Sequence, residues 1–139
     1  MTKLLQSHAA KLEPLYSGMV EKGMDLGLDD VVAVSAPRVG ILMGQGISAT
    51  GFGEVWHYFD QQLQYPTTLL DKSTFGRFDL NNYDVLVFPS GRYEKSIAES
   101  NDLKSWINKG GRVILVESAN DSFANVDGYE LKRKSKTDV

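Results

Sequence analysis

At 139 residues, 42% hydrophobic and 24% charged, the chain has the length and composition of one globular domain with a core of ordinary size, neither disordered nor fibrous. A formal net charge of -3 repels phosphate backbones and anionic membranes, which argues against a nucleic-acid or membrane partner. The lack of cysteine excludes disulfides, iron–sulfur clusters and thiolate chemistry, and His8 and His57 alone cannot build a three-histidine zinc site.

No run approaches the ~18 to 20 apolar residues that span a bilayer, and residues 1–10 lack the basic-then-apolar layout of a secretory signal. A soluble chain is expected, and a cysteine-free sequence suits oxidising and reducing compartments alike.

In chain order, Leu4, Leu5, His8, Leu12, Leu15 and Met19 recur at helical spacing. Pro14 stands where a second helix would start, with Gly23 and Gly27 as stops. Val31, Val32 and Val34 then run into Ser35-Ala36-Pro37, an extended connector, so residues 1–36 are expected to be a helical segment and linker. Val39-Gly40-Ile41-Leu42-Met43 is a continuous apolar run of strand length, the kind buried on both faces of a parallel sheet. After a glycine-rich turn, Phe52, Val55, Trp56, Phe59 and Leu63 fall on one helix face and leave Glu54, His57, Asp60 and Gln61 toward solvent.

Residues 67–70 make a second strand, 73–82 a turn, and Asp84-Val85-Leu86-Val87-Phe88-Pro89 a third strand broken by Ser90-Gly91. Residues 101–109 suit a helix with Leu103, Trp106 and Ile107 inward and Gly110-Gly111 as its stop. Arg112-Val113-Ile114-Leu115-Val116 is the fourth strand. Residues 129–139, with Lys132, Arg133, Lys134 and Lys136 and no apolar period, are expected to be a basic, solvated tail.

Strands separated by helix-length segments imply right-handed crossovers. The expected fold is therefore α/β over residues 37–128: an open parallel sheet of about four strands in order 2-1-3-4, with helices on both faces, as in flavodoxin-like domains. The first strand pairs with both the second and the third because its crossovers go to opposite sides. A switch point thus forms between strands one and three, and ligands of such sheets gather there, beyond the strand ends.

The loops that meet at those ends are residues 44–51, 71–73, 90–92 and 117–121. Gly44-Gln45-Gly46-Ile47-Ser48-Ala49 has the G-x-G-x-x-A spacing of a dinucleotide loop, and Asp71 closes the next strand where a ribose-binding acid would lie. Against that, Thr50-Gly51-Phe52-Gly53 intervenes before the helical period begins, which keeps the second glycine off a helix N-terminus. The simpler reading is a loop that needs glycine for positive φ.

Ser48 lies in G-x-S-x-x-G, one residue off the nucleophile-elbow pattern and several residues beyond its strand, Ser90 lacks the preceding glycine, Ser118 follows its strand without flanking glycines, and His57 is expected to point outward; turn and capping roles fit the serines better. Glu54-x-x-His57 and His57-x-x-Asp60 supply too few ligands for a metal, and neither metal nor cofactor is expected. The candidate ligand cleft has Gly44, Gln45, Gly46 and Ser48 facing Ser90, Gly91 and Arg92. Accessible backbone amides and the Arg92 guanidinium suit a small anion or carboxylate. The competing reading pairs Arg92 with Glu94 or Glu117 at the surface.

Several stretches carry a family resemblance. These are Pro37-Arg38-Val39-Gly40-Ile41-Leu42; Gly53-Glu54-Val55-Trp56-His57-Tyr58-Phe59-Asp60-Gln61-Gln62-Leu63 with Tyr65-Pro66; Tyr83-Asp84-Val85-Leu86-Val87-Phe88-Pro89-Ser90-Gly91; and Gly110-Gly111-Arg112-Val113-Ile114. Over residues 36–122 the chain resembles the class I glutamine amidotransferase-like domain, in the version found C-terminal to the catalytic domain of bacterial zinc carboxypeptidases of the carboxypeptidase A-like family.

Active members of that fold carry a cysteine in a glycine-flanked elbow, followed by a histidine and an acid. Here the matching strand leads into Val116-Glu117-Ser118-Ala119-Asn120, with no cysteine and no later histidine. The resemblance therefore implies a non-catalytic accessory domain, partnered by a peptidase domain of the same polypeptide upstream of Met1. The alternative is a flavodoxin-like protein that binds a small anion or a nucleotide through residues 44–51.

Overall fold

The chain divides into two units, residues 1–35 and 36–139. The computed structural model describes residues 34–133. The helical reading of residues 1–33, His8 included, and the Lys134 and Lys136 end of the basic tail lie outside the described residues.

Four parallel strands, β1 (Val39–Met43), β2 (Thr67–Asp71), β3 (Val85–Phe88) and β4 (Arg112–Leu115), form one sheet in the order β2-β1-β3-β4. In the two central strands, β1 and β3, nearly every residue is buried, which is why they read as unbroken apolar runs. The edge strands are half-covered: Leu70 of β2 is buried while Leu69 is 43% exposed, and Ile114 of β4 is 46% exposed.

Register places Leu42 beside Leu70 and Phe88 beside Leu115. That face of the sheet packs on α2 (Lys95–Ala98), α3 (Asn101–Asn108) and α4 (Ala119–Phe123) through Ile97, Ala98, Leu103, Trp106, Ala119 and Phe123. The opposite face, Val39, Ile41 and Val87, is covered by Phe52, Val55 and Phe59 from α1 (Ala49–His57) and the π-helical turn Tyr58–Gln62 that extends it. The fold is thus the expected α/β, flavodoxin-like sheet with helices on both faces.

Two details of α1 correct the sequence reading. The helix begins at Ala49 instead of beyond Gly53, because the Ser48 hydroxyl accepts the Gly51 amide at 3.2 Å and so satisfies a first-turn donor. Gly51 is tolerated inside the helix because it lies against β3's loop, where an added Cβ would stand 3.0 Å from Ser90 Cβ. Trp56, expected inward, is 38% exposed. The stripe that packs is the narrower Phe52, Val55 and Phe59, and Leu63 N–H closes the wider turn onto the Tyr58 carbonyl.

Tyr129, expected in the solvated tail, packs edge-on against Phe123 and donates its hydroxyl to the Ala98 carbonyl at 2.8 Å. Arg133 pairs with Asp121 at 3.3 Å.

At the N-terminal ends of β1 and β3, Asp84 accepts from the Arg38 backbone at 2.7 Å and from its guanidinium at 2.9 and 3.1 Å. These bonds, the guanidinium's first, hold the Asp84 carboxyl down at about 2. A carboxyl depressed in the folded state stabilises it fully above the unfolded value, and that contribution is lost as pH falls through the folded one. Wild-type stability is therefore expected to fall from about pH 5 to about pH 2, with a shallower fall in Asp84→Asn, as read by urea denaturation across that range.

Candidate functional site

Beyond the strand ends, Gly44 (φ +125°) and Gly46 (φ +85°) turn the chain out of β1, and Pro89 ends β3. The two loops meet as expected, but backbone pairing closes the gap between them. Ile47 bridges Gly91, the Ser48 N–H donates to the Ser90 carbonyl at 2.8 Å, and the Arg92 N–H donates to the Gly46 carbonyl at 2.9 Å. The amides of Ser48 and Arg92, expected to be open to a ligand, are already taken.

The reason is Gly91. A Cβ there would lie 2.6 Å from Ile47 Cα and 2.9 Å from the Gly46 carbonyl oxygen, so glycine serves the close approach of two backbones. Gly91→Ala is expected to force the loops apart and destabilise the domain by about 1–2 kcal/mol. The check is a lowered urea midpoint together with faster amide exchange at Ser48 and Arg92.

Beside this seam lies an open groove of about 610 Å³, lined by Ser48, Ser90, Arg92, Ser118, Asp121 and Ser122. Ser90 and Ser118 hydroxyl oxygens are 2.8 Å apart, and Ser122 Oγ accepts the Tyr93 amide at 3.1 Å. The Tyr93 hydroxyl donates to the Pro89 carbonyl at 2.7 Å, and burial pushes its ionisation well above the ordinary phenol range. Arg92 and Gln45 are exposed, and among the described residues Glu94 pairs with Lys72 and not with Arg92.

The turn after β4 holds a feature that residue types did not signal. Val116 still bonds to the Phe88 carbonyl, Glu117 then takes φ +49°, and α4 starts two residues later. Glu117 thus makes a left-handed turn between β4 and α4, and Ser118 after it already has helical dihedrals (φ -67°, ψ -12°). His57 ends α1, nine residues beyond Ser48 and so roughly 13 Å along the helix axis, with its side chain exposed.

Asp71, aligned by spacing with a ribose-binding acid, accepts the Ser73 amide at 2.9 Å, and that bond holds its carboxyl below the usual range. Its neighbour Lys72 is the residue that sequence reasoning missed. The Lys72 side chain is 8% exposed, and its ammonium donates to the Arg92 carbonyl and to Glu94 Oε1, each at 2.9 Å. The Glu94 carboxyl is lowered chiefly by that hydrogen bond.

No family model, curated protein or solved structure matches this chain. Among the described residues no three His, Asp or Glu side chains cluster as a metal site would require, and no helix is long and apolar enough to cross a membrane.

Proposed function

We propose that residues 36–133 form a non-catalytic, amidotransferase-like accessory domain of a zinc carboxypeptidase-like protein, which packs on the peptidase or presents its strand-end groove to a ligand. The reading rests on the turn after β4. Amidotransferase chemistry needs a thiolate on a sharp strand-to-helix turn and an imidazole to take its proton. What supports the reading is the turn itself, where Glu117 takes a left-handed conformation that costs a non-glycine residue about 1–2 kcal/mol.

The reacting groups are not there: the sequence has no cysteine, Ser118 is hydrogen-bonded to Ser90, and His57 lies away along α1.

The purified chain is expected to release no ammonia from glutamine and to cleave no C-terminal peptide bond. Either activity, if abolished by Ser118→Ala or His57→Ala, overturns the non-catalytic role. The reading frame is expected to encode a zinc carboxypeptidase-type domain upstream of Met1, and a frame without one overturns the peptidase association.

A further inference from the structure

Next to the seam, on the β2 side, lies a second open groove of about 680 Å³, lined by Gln45, Lys72, Ser73, Glu94, Ser96 and Ser100. Its floor carries a charge that is unusual for a lysine: the Lys72 side chain is 8% exposed, whereas lysines are almost never buried without a partner. The ammonium donates to the Arg92 carbonyl at 2.9 Å and stands 5.8 Å from the centre of the Tyr93 ring. Gly46 leaves room beside it, since a Cβ on that residue would come within 3.4 Å of Nζ.

The partner on the open side is different in kind. Glu94 reaches Lys72 at 2.9 Å, but its side chain is 59% exposed, and although it stands at the N-cap of α2 it makes no capping bond. One member of the pair is built into the fold, while the other is a solvent-facing carboxylate resting on it.

We propose that the Lys72 groove is a binding site for a small organic carboxylate, and that Glu94 occupies the carboxylate position when the ligand is absent. An ammonium offers three donors, and a ligand carboxylate takes the place of the Glu94 carboxylate on one of them. Ser73 and Ser96 also line the groove, and their hydroxyls suit polar substituents. Phe75 and Ile97 line the same groove, so the site receives carbon as well as charge, which favours an organic acid over a bare inorganic anion. Because Glu94 is tethered, it competes at high effective concentration, and the ligand prevails only through these added contacts. The site is independent of the accessory role proposed above.

Propionate reproduces the end of the glutamate side chain and serves as the probe, with uncharged propionamide as its isostere. In amide correlation spectra, Glu94→Ala is expected to show saturable shifts at Gly46, Lys72 and Ser96 with propionate, at least about tenfold tighter than wild type. Propionamide is expected to leave those signals in place, and Lys72→Gln in the same background to abolish the response. If that double variant does not fold, the amide isostere alone decides. No saturable shift in Glu94→Ala, an equal response to propionamide, or equal affinity in wild type overturns the proposal.

Discussion

Phe88→Ala is expected to lower the stability of the domain by about 3–5 kcal/mol, the range for removing a fully buried aromatic ring. Phe88 closes β3 with no exposed surface, and its ring meets Tyr93 and Phe123 edge-on at 5.1 and 5.2 Å and Phe75 at 6.3 Å. These partners come from three separate segments after β2 and β3 and in α4, so one deletion opens a cavity at the point where they converge. The loss is a large share of the 5–15 kcal/mol by which a domain is ordinarily stable. Urea unfolding followed by circular dichroism measures it, with Phe88→Leu expected to lose less than about 1.5 kcal/mol. A loss under about 1 kcal/mol in Phe88→Ala would show that the core is not centred on this ring.

Gly111→Ala is expected to be nearly as damaging, by overfilling instead of emptying. A Cβ at Gly111 would stand 2.3 to 2.5 Å from three atoms of the Trp106 indole. The ring has little freedom to retreat, because it is 6% exposed and its Nε1–H donates to the Tyr83 carbonyl at 3.1 Å. Overpacking costs about 1–3 kcal/mol, and a displaced indole adds about 1 kcal/mol for the lost hydrogen bond. Gly53 supplies the contrast, since nothing lies within 4 Å of a Cβ there and the residue is inside α1. Gly53→Ala is expected to stabilise the domain by up to about 1 kcal/mol and so raise the urea midpoint, while Gly111→Ala lowers it.

The sheet was legible in the sequence because a strand buried on both faces has no polar alternation to hide it, and β1 and β3 show this most plainly. The order followed from the hand of the crossovers. What escaped was shorter or subtler. Helices α2 and α4, of four and five residues, span too little chain for a 3.6-residue period to register. Gly51 and Gly53 disguised the start of α1, where the Ser48 cap decided the matter.

The glycines of the two loops were recognised, but a glycine that admits a ligand and one that admits another stretch of backbone look alike in a single sequence. Here Gly91 does the second. Lys72 escaped for a related reason, because its burial depends on Arg92 and Glu94, which lie 20 and 22 residues away.

The placement of the two tryptophans gives the molecule a pair of optical reporters. Trp106 is 6% exposed beneath Gly111 in the layer of α3, while Trp56 is 38% exposed on α1, across the sheet. A soluble quencher therefore reaches one and spares the other, and each emission records the state of its own helical layer. With Trp56→Phe and Trp106→Phe, the two sides of the sheet become separately visible, and loosening on one side can be timed against the other.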